Sequence, residues 1–249
     1  DLNNQITEKK LESVGTIRNL TILFCDIKGF TPFSESLSAY DVIFILNRYF
    51  SIMREVIIRH GGEVNNYIGD AILAIFGLKE SRQQSLRAVS ASVEMLKEMD
   101  HFKSYLKQAY GRDFDIRVGV HYGEVISGSV GVGEDRKVTV IGDAVNIASR
   151  IESINKEAGT RLLISETVYD QIKDKVSVKN YLRLKLRGTS SLITLYEVSD
   201  VNSSALELNV TEVERNIDGK KWFRTLPIEE LNLGEKKKFK LKELSLIHI

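Results

Sequence analysis

The stretch Thr21–Gly77 constrains this chain more than any other, because within it an apolar run twice leads into an acid. Asp26 follows Thr21-Ile22-Leu23-Phe24-Cys25, and Asp70 follows Tyr67-Ile68-Gly69. A carboxylate at a strand end is costly to bury alone and well placed to hold a hard cation. Thr21–Asp26 has the length and β-branched content of a strand. Lys28-Gly29-Phe30-Thr31-Pro32 breaks the pattern, and from Ser38 the apolar period becomes helical. Val42, Ile45, Leu46, Tyr49, Phe50, Met53, Val56 and Ile57 make one stripe, closed by Gly61-Gly62. The segment from Glu63 to Gly77 then reads as a β-hairpin with Gly69-Asp70 as a two-residue loop of the Gly-X type. Paired beside the first strand, this hairpin would carry Asp70 to Asp26.

Downstream, Leu86, Val89, Val93 and Leu96 mark a second helix. From Asp115 alternation returns, with Ile116, Val118 and Val120 on one face and Arg117, Gly119 and His121 on the other. "GSVGVG" at 128–133 is expected to be a bend rather than a dinucleotide fingerprint, since no helix of suitable pattern follows it. A third helix is expected near Asp143, a strand over 160–165, a short helix over Glu166–Lys173 and a closing pair of strands at "LRLKL" and "LITLYEV". This order predicts an α/β (α+β) fold with a mixed central sheet flanked by helices. Residues 1–19 read as an incoming linker, 20–199 as the main domain and 200–249 as an extension. In that extension "ALELNVTEVE" and "KKKFKLKEL" alternate like strands of a small C-terminal β appendage.

Charge and composition exclude several classes of function. A net charge of +1 gives no general pull toward nucleic acid or an anionic membrane surface. Cys25 is the single cysteine, so no internal disulfide framework exists and a reducing, cytoplasmic compartment is expected. No apolar run approaches the length of a membrane span, so no membrane contact is expected from these residues. The first residue is not Met and the last are Leu246-Ile247-His248-Ile249. The chain is therefore expected to be a fragment, with room upstream for a sensor or a membrane anchor.

Several residues could carry chemistry. Asp26 and Asp70, brought together by the fold, would make a carboxylate pair for two divalent cations; read singly, one is a turn Asp and the other a capping or loop Asp. The backbone from Ile27 to Phe30 could cradle a phosphate, or form an ordinary tight turn. Asn146 and Arg150 are four apart in "GDAVNIASRIE" and share a helix face, with Val145, Ala148, Ile151 and Ile154 on the apolar side. An amide beside a guanidinium can stabilise charge developing on a phosphate; the bland alternative is a solvated polar face. Arg117 stands inside a strongly apolar strand and wants an anion, either a structural carboxylate or a ligand phosphate. His60 and His121 lack partners at metal spacing and read as structural.

Five blocks taken together, "FCDIKGFT", "NNYIGDAILAIFG", "IRVGVHYGEVISGSVG", "VIGDAVNIASRIE" and "LRGTSSLITLYEV", resemble the class III adenylate/guanylate cyclase catalytic domain, in the same order and over roughly residues 15–199. The resemblance implies a ferredoxin-like or palm-like cyclase fold. It makes Asp26 and Asp70 the metal-binding aspartates, for two Mg²⁺ or Mn²⁺ per site, with the backbone carbonyl of Ile27 alongside. Asn146 and Arg150 match the transition-state pair and Arg117 a phosphate-contacting arginine. Phe30 falls in the phosphate-cradling turn, and Arg187 stands where the family usually has a phosphate-binding lysine. Thr139 matches one of two purine-reading positions, and a Thr there is similar to the subgroup often linked to bicarbonate response.

Asn66 holds the other purine position, where adenylate cyclases usually have Lys and guanylate cyclases Glu. An amide can donate to adenine or accept from guanine, so Asn66 discriminates weakly. The implied activity is conversion of ATP to 3′,5′-cyclic AMP and pyrophosphate for intracellular signalling. The alternatives are a guanylate or dual-specificity cyclase, and a catalytically silent regulatory module. The family's site lies between subunits, so both half-sites in one chain imply a homodimer with two shared sites.

Overall fold

In this computed structural model the described residues are 15–131, 137–185, 192–202, 210–217 and 220–227. The chain divides into two compact units, residues 1–207 and 208–249.

The first unit is built on β1 (Thr16–Lys28), the central strand. A short helix α1 (Phe30–Ser34) follows, then the long α2 (Ala39–Arg59), whose N-cap Ser38 accepts a hydrogen bond from the backbone N–H of Asp41. Strands β2 (Gly62–Ile68) and β3 (Ala71–Phe76) form the hairpin read from the sequence. Gly69 sits at φ 63°, the left-handed geometry that a Gly-X hairpin loop asks of its first residue. Next come α3 (Gln84–Tyr110), β4 (Asp115–Val130), β5 (Lys137–Ile141), α4 (Asp143–Ala158), β6 (Leu162–Ser165), α5 (Glu166–Ile172), β7 (Val176–Lys185) and β8 (Leu192–Val201).

The sheet runs β2-β3-β1-β4-β6-β8-β7, and β5 pairs with the far end of β4. Among the described residues only β4 and β6 pair in parallel, which makes the sheet mixed. Alternation along β1 decides what each face carries. Leu23, Cys25 and Ile27 pack with Ile45, Tyr49, Met53 and Ile57 of α2 and with Leu86, Val89 and Met95 of α3. Leu20 and Ile22 face the other way, onto Ala144 and Ala148 of α4. Asp26 therefore belongs to the face that α4 covers, and so do Arg117 and Gly119, because Ile116, Val118 and Val120 take the opposite face of β4. A one-residue register slip would exchange the two sets.

Some elements differ from the expectations. Thr16–Asn19, read as linker, are strand residues that pair with Ser127–Glu124 of β4. Short linear signals miss this because half of the pairing edge is supplied by a strand about a hundred residues away. Of the bend expected over 128–133, Gly128–Val130 instead continue β4 and pair with Thr139, Val138 and Lys137 of β5, Gly131 does bend, at φ 127°, and 132–133 lie outside the described residues. The end of β8 at Val201 crosses the expected boundary after residue 199. In the second unit, β9 (Val210–Ile217) and β10 (Lys220–Pro227) form an antiparallel hairpin. The expected strand at 236–244 lies outside the described residues. Among the described residues no helix is long and apolar enough to cross a membrane.

Candidate active site

Three elements converge on Asp26. In the β1–β4 ladder it stands directly opposite Arg117, whose Nη2 lies 3.8 Å from its Oδ2. Pairing of β3 with β1 brings the hairpin loop, and Asp70 with it, to the same end of β1, since Cys25 opposes Ile72. Burial pushes the Asp26 carboxyl up to about 6, the facing charge of Asp70 adds to this, and Arg117 opposes it. A carboxyl pushed up by burial and by a second carboxylate beside it belongs to a donor pair that a divalent cation would relieve. Among the described residues no cluster of three His, Cys, Asp or Glu side chains forms, so a cation here would complete its shell with backbone, water or ligand oxygens. Ile27, next along β1, has a buried side chain, and its backbone N–H hydrogen-bonds the Asp26 carboxyl.

Arg117 finds the structural carboxylate as well as the site. Its Nε lies 3.1 Å from Oε1 of Glu152, which reaches down from α4 and is only 4% exposed. Burial lifts the Glu152 carboxyl to about 7, with the charge of Asp26 next and Arg117 pulling the other way. Asp26, Arg117 and Glu152 thus form a charged row under α4, in which one guanidinium serves two acids. The helix can come this close because β4 has glycine at 119: a Cβ there would lie 2.3 Å from the backbone N of Glu152 and 2.6 Å from the carbonyl O of Ala148. Glu152 escaped the sequence reading, although an acid next to Ile151 on the apolar side of a helix was a visible signal.

Other expected residues stand apart from this row. On α4, Ala144, Ala148, Ile151, Glu152 and Asn155 are buried, while Asn146 is exposed and Arg150 half-buried. At 100° per residue, Asn146 and Arg150 lie about 160° to either side of Ala148, on the face turned from the sheet. Asn146 and Arg150, expected as the transition-state pair, therefore lie on the side of α4 opposite the one that faces Asp26. Phe30 begins α1 after Gly29 at φ 74°, and its ring packs with Phe33 and Phe114. Asn66 is exposed on β2, and Thr139 is half-buried on β5. Thr139 meets the neighbouring amide, Asn65, instead: its hydroxyl donates to Asn65 Oδ1 at 3.4 Å. Arg187 lies outside the described residues. His60 and His121 have protein partners, Glu94 at 2.6 Å and Ser165 at 2.9 Å respectively, and burial pulls the His121 imidazole down to about 4.

Comparison with known proteins agrees with this architecture. The family model "Adenylate and Guanylate cyclase catalytic domain" matches residues 12–199. An adenylate cyclase of Anabaena cylindrica is 36% identical over 188 residues, which are 73% of this chain and 37% of that protein. The chain thus spans little more than a third of that relative. Among solved structures, the guanylyl cyclase Cya2 is 33% identical with a TM-score of 0.71, over 75% of this chain and 94% of that one. The adenylyl cyclase CyaB from P. aeruginosa is 31% identical with a TM-score of 0.69, over 74% of this chain and 95% of that one. The ordered motifs, the mixed sheet with its flanking helices and these matches lead to one conclusion: the chain belongs to the adenylate and guanylate cyclase catalytic domain family.

Proposed function

We propose that this chain is an adenylate cyclase domain that converts ATP to 3′,5′-cyclic AMP and pyrophosphate on the cytoplasmic side of the cell. The observation that supports this most is the meeting of Asp26 and Asp70 beside Arg117, a like-charge pair held at strand and hairpin ends where a cation and a triphosphate can reach it. Two Mg²⁺ or Mn²⁺ ions held there would ease loss of the proton from the ribose 3′-hydroxyl and offset charge on the departing pyrophosphate. Asp26, Asp70 and the Ile27 carbonyl hold that end of the site. Arg117, kept in place by Glu152, presents its remaining N–H groups to phosphate oxygens. Asn146 and Arg150 stabilise the charge that builds on the α-phosphate as the 3′-oxygen bonds to it. Asn66 and Thr139 hold the purine; Phe30 lies in the turn beside the phosphates, and Arg187 binds the triphosphate.

Because Asn146 and Arg150 face away from the sheet that carries Asp26, one copy does not close the site on itself. Two copies, each lending its α4 face to the other's carboxylates, make two equivalent sites. The first test is product formation from ATP and from GTP, each with Mg²⁺ and with Mn²⁺, by the wild-type chain and by Asp26→Ala. Metal-dependent cyclic AMP that vanishes in Asp26→Ala is the expected result. Cyclic GMP as the main product would reassign the base, and no product from a verified dimer would make the domain a silent regulatory module.

A further inference from the structure

Asn66 is an amide and therefore nearly neutral between adenine and guanine, which leaves base choice to Thr139. A threonine hydroxyl is neutral too, since it can donate or accept. Its polarity is decided by whatever claims its proton, and Asn65 does so. The β2–β3 pairing shifts register between Val64 and Asn66, so Asn65 is the extra residue of a bulge, and bulges re-aim side chains. From that position Asn65 Nδ2 donates to the carbonyl O of Val138 at 3.1 Å, while Thr139 Oγ1 lies 3.4 Å from Oδ1. A backbone carbonyl can only accept, so the amide nitrogen must face Val138 and the amide oxygen must face Thr139. The threonine hydroxyl is then the donor in that bond, and only its lone pairs remain for a ligand.

We propose that Asn65 is a positioning residue for base selection: by holding the Thr139 proton it turns that hydroxyl into an acceptor, which suits the 6-amino group of adenine and opposes the 6-oxo group of guanine. The inference rests on the reading above in which Thr139 meets the purine. It would give a site without the usual lysine a means of preferring ATP. The bulge places Asn65 between two strands that no hydrogen-bonded ladder joins among the described residues, so the bond to Val138 also holds β5 at a fixed distance from β2.

The test compares kcat/KM for ATP with that for GTP in the wild type, Asn65→Ala, Asn65→Asp and Thr139→Val, with folding checked by circular dichroism. Asn65→Ala releases the hydroxyl proton to donate to guanine, so the ATP:GTP ratio is expected to fall about tenfold, the worth of one misdirected hydrogen bond. Asn65→Asp can only accept, so it keeps the ratio within about threefold even though the Val138 bond is lost. A merely structural role would instead lower both substrates together and leave the ratio alone. If Thr139→Val changes the ratio and a folded Asn65→Ala does not, the inference is overturned while the reading of Thr139 stands. If Thr139→Val leaves the ratio unchanged, Thr139 does not read the base and both fall. Should Asn65→Ala not fold, the near-isosteric Asn65→Leu, which cannot accept the hydroxyl proton, takes its place: a fallen ratio supports the assignment, and an unchanged ratio, or a ratio that collapses in Asn65→Asp, overturns it.

Discussion

The two faces of α4 make an instructive contrast. Toward the sheet, Glu152 and Arg117 are almost closed to solvent and neutralise one another, with Asp26 at the open end of the row. Away from it, Asn146 is exposed, and Arg150 has no carboxylate within ion-pair distance among the described residues. The first face carries its own countercharge because buried charge demands a partner within the chain. The second stays open because water already solvates it, so its groups are free for something brought from outside. Substitutions on the outward face should therefore cost activity alone, whereas those on the buried face should cost stability as well.

The largest expected effect tests that separation through activity. Asp70→Ala and Arg150→Ala are each expected to lower kcat by roughly a thousandfold or more, about 4 kcal/mol of transition-state stabilisation, with little change in melting temperature. Mixed, the two inactive proteins should recover part of the activity, because one site in the mixed dimer is intact; no recovery in verified heterodimers would break the comparison.

Arg117→Ala should behave differently, because it strands Glu152 in the interior. A loss of about 3–5 kcal/mol in unfolding free energy is expected from denaturant titration, in addition to lost activity. An unchanged midpoint would mean that the charged row is not a structural unit. Gly119→Ala probes the closeness of helix and strand: with a Cβ driven to 2.3 Å from the backbone of Glu152, α4 must shift, at a cost of about 1–3 kcal/mol or more. Its activity should fall as well, since Asn146 and Arg150 ride on the same helix.

The smallest effect is that of pH. Asp26 and Glu152 both titrate higher in the folded chain than when unfolded, at about 6 and about 7. Their contribution to stability is thus fully present below the unfolded carboxylate range, near pH 4, and is lost as pH rises through 6 to 7. Glu94 and Asp100, held low by His60 and by Arg161, act in the opposite sense at lower pH. In metal-free buffer the melting temperature is expected to decline between pH 5 and 7.5, less so in Glu152→Gln. Added Mg²⁺ should offset the Asp26 share; identical slopes for wild type and Glu152→Gln would remove the acid from the row.

Much of this was legible without coordinates. The apolar period closed by Gly61-Gly62, the Gly69-Asp70 loop and the alternation from Ile116 to His121 each lie within one element, and local spacing specifies them. So does the sharing of one α4 face by Asn146 and Arg150, which follows from helical pitch. Membership of the cyclase family was likewise readable in the ordered motifs. Other features depend on the register of distant segments. Thr16–Asn19 become strand only because the far half of β4 supplies an edge, and Gly128–Val130 stay extended because β5 pairs with them. That Arg117 spends its guanidinium on Glu152 as well as on Asp26 is decided by how near α4 approaches Gly119. The choice of Asn65 over Asn66 as partner of Thr139 comes from one extra residue in β2. Periodicity along a chain specifies which side of its own element a residue occupies; which residue it meets there depends on pairings between segments far apart in sequence, and only the folded chain selects those.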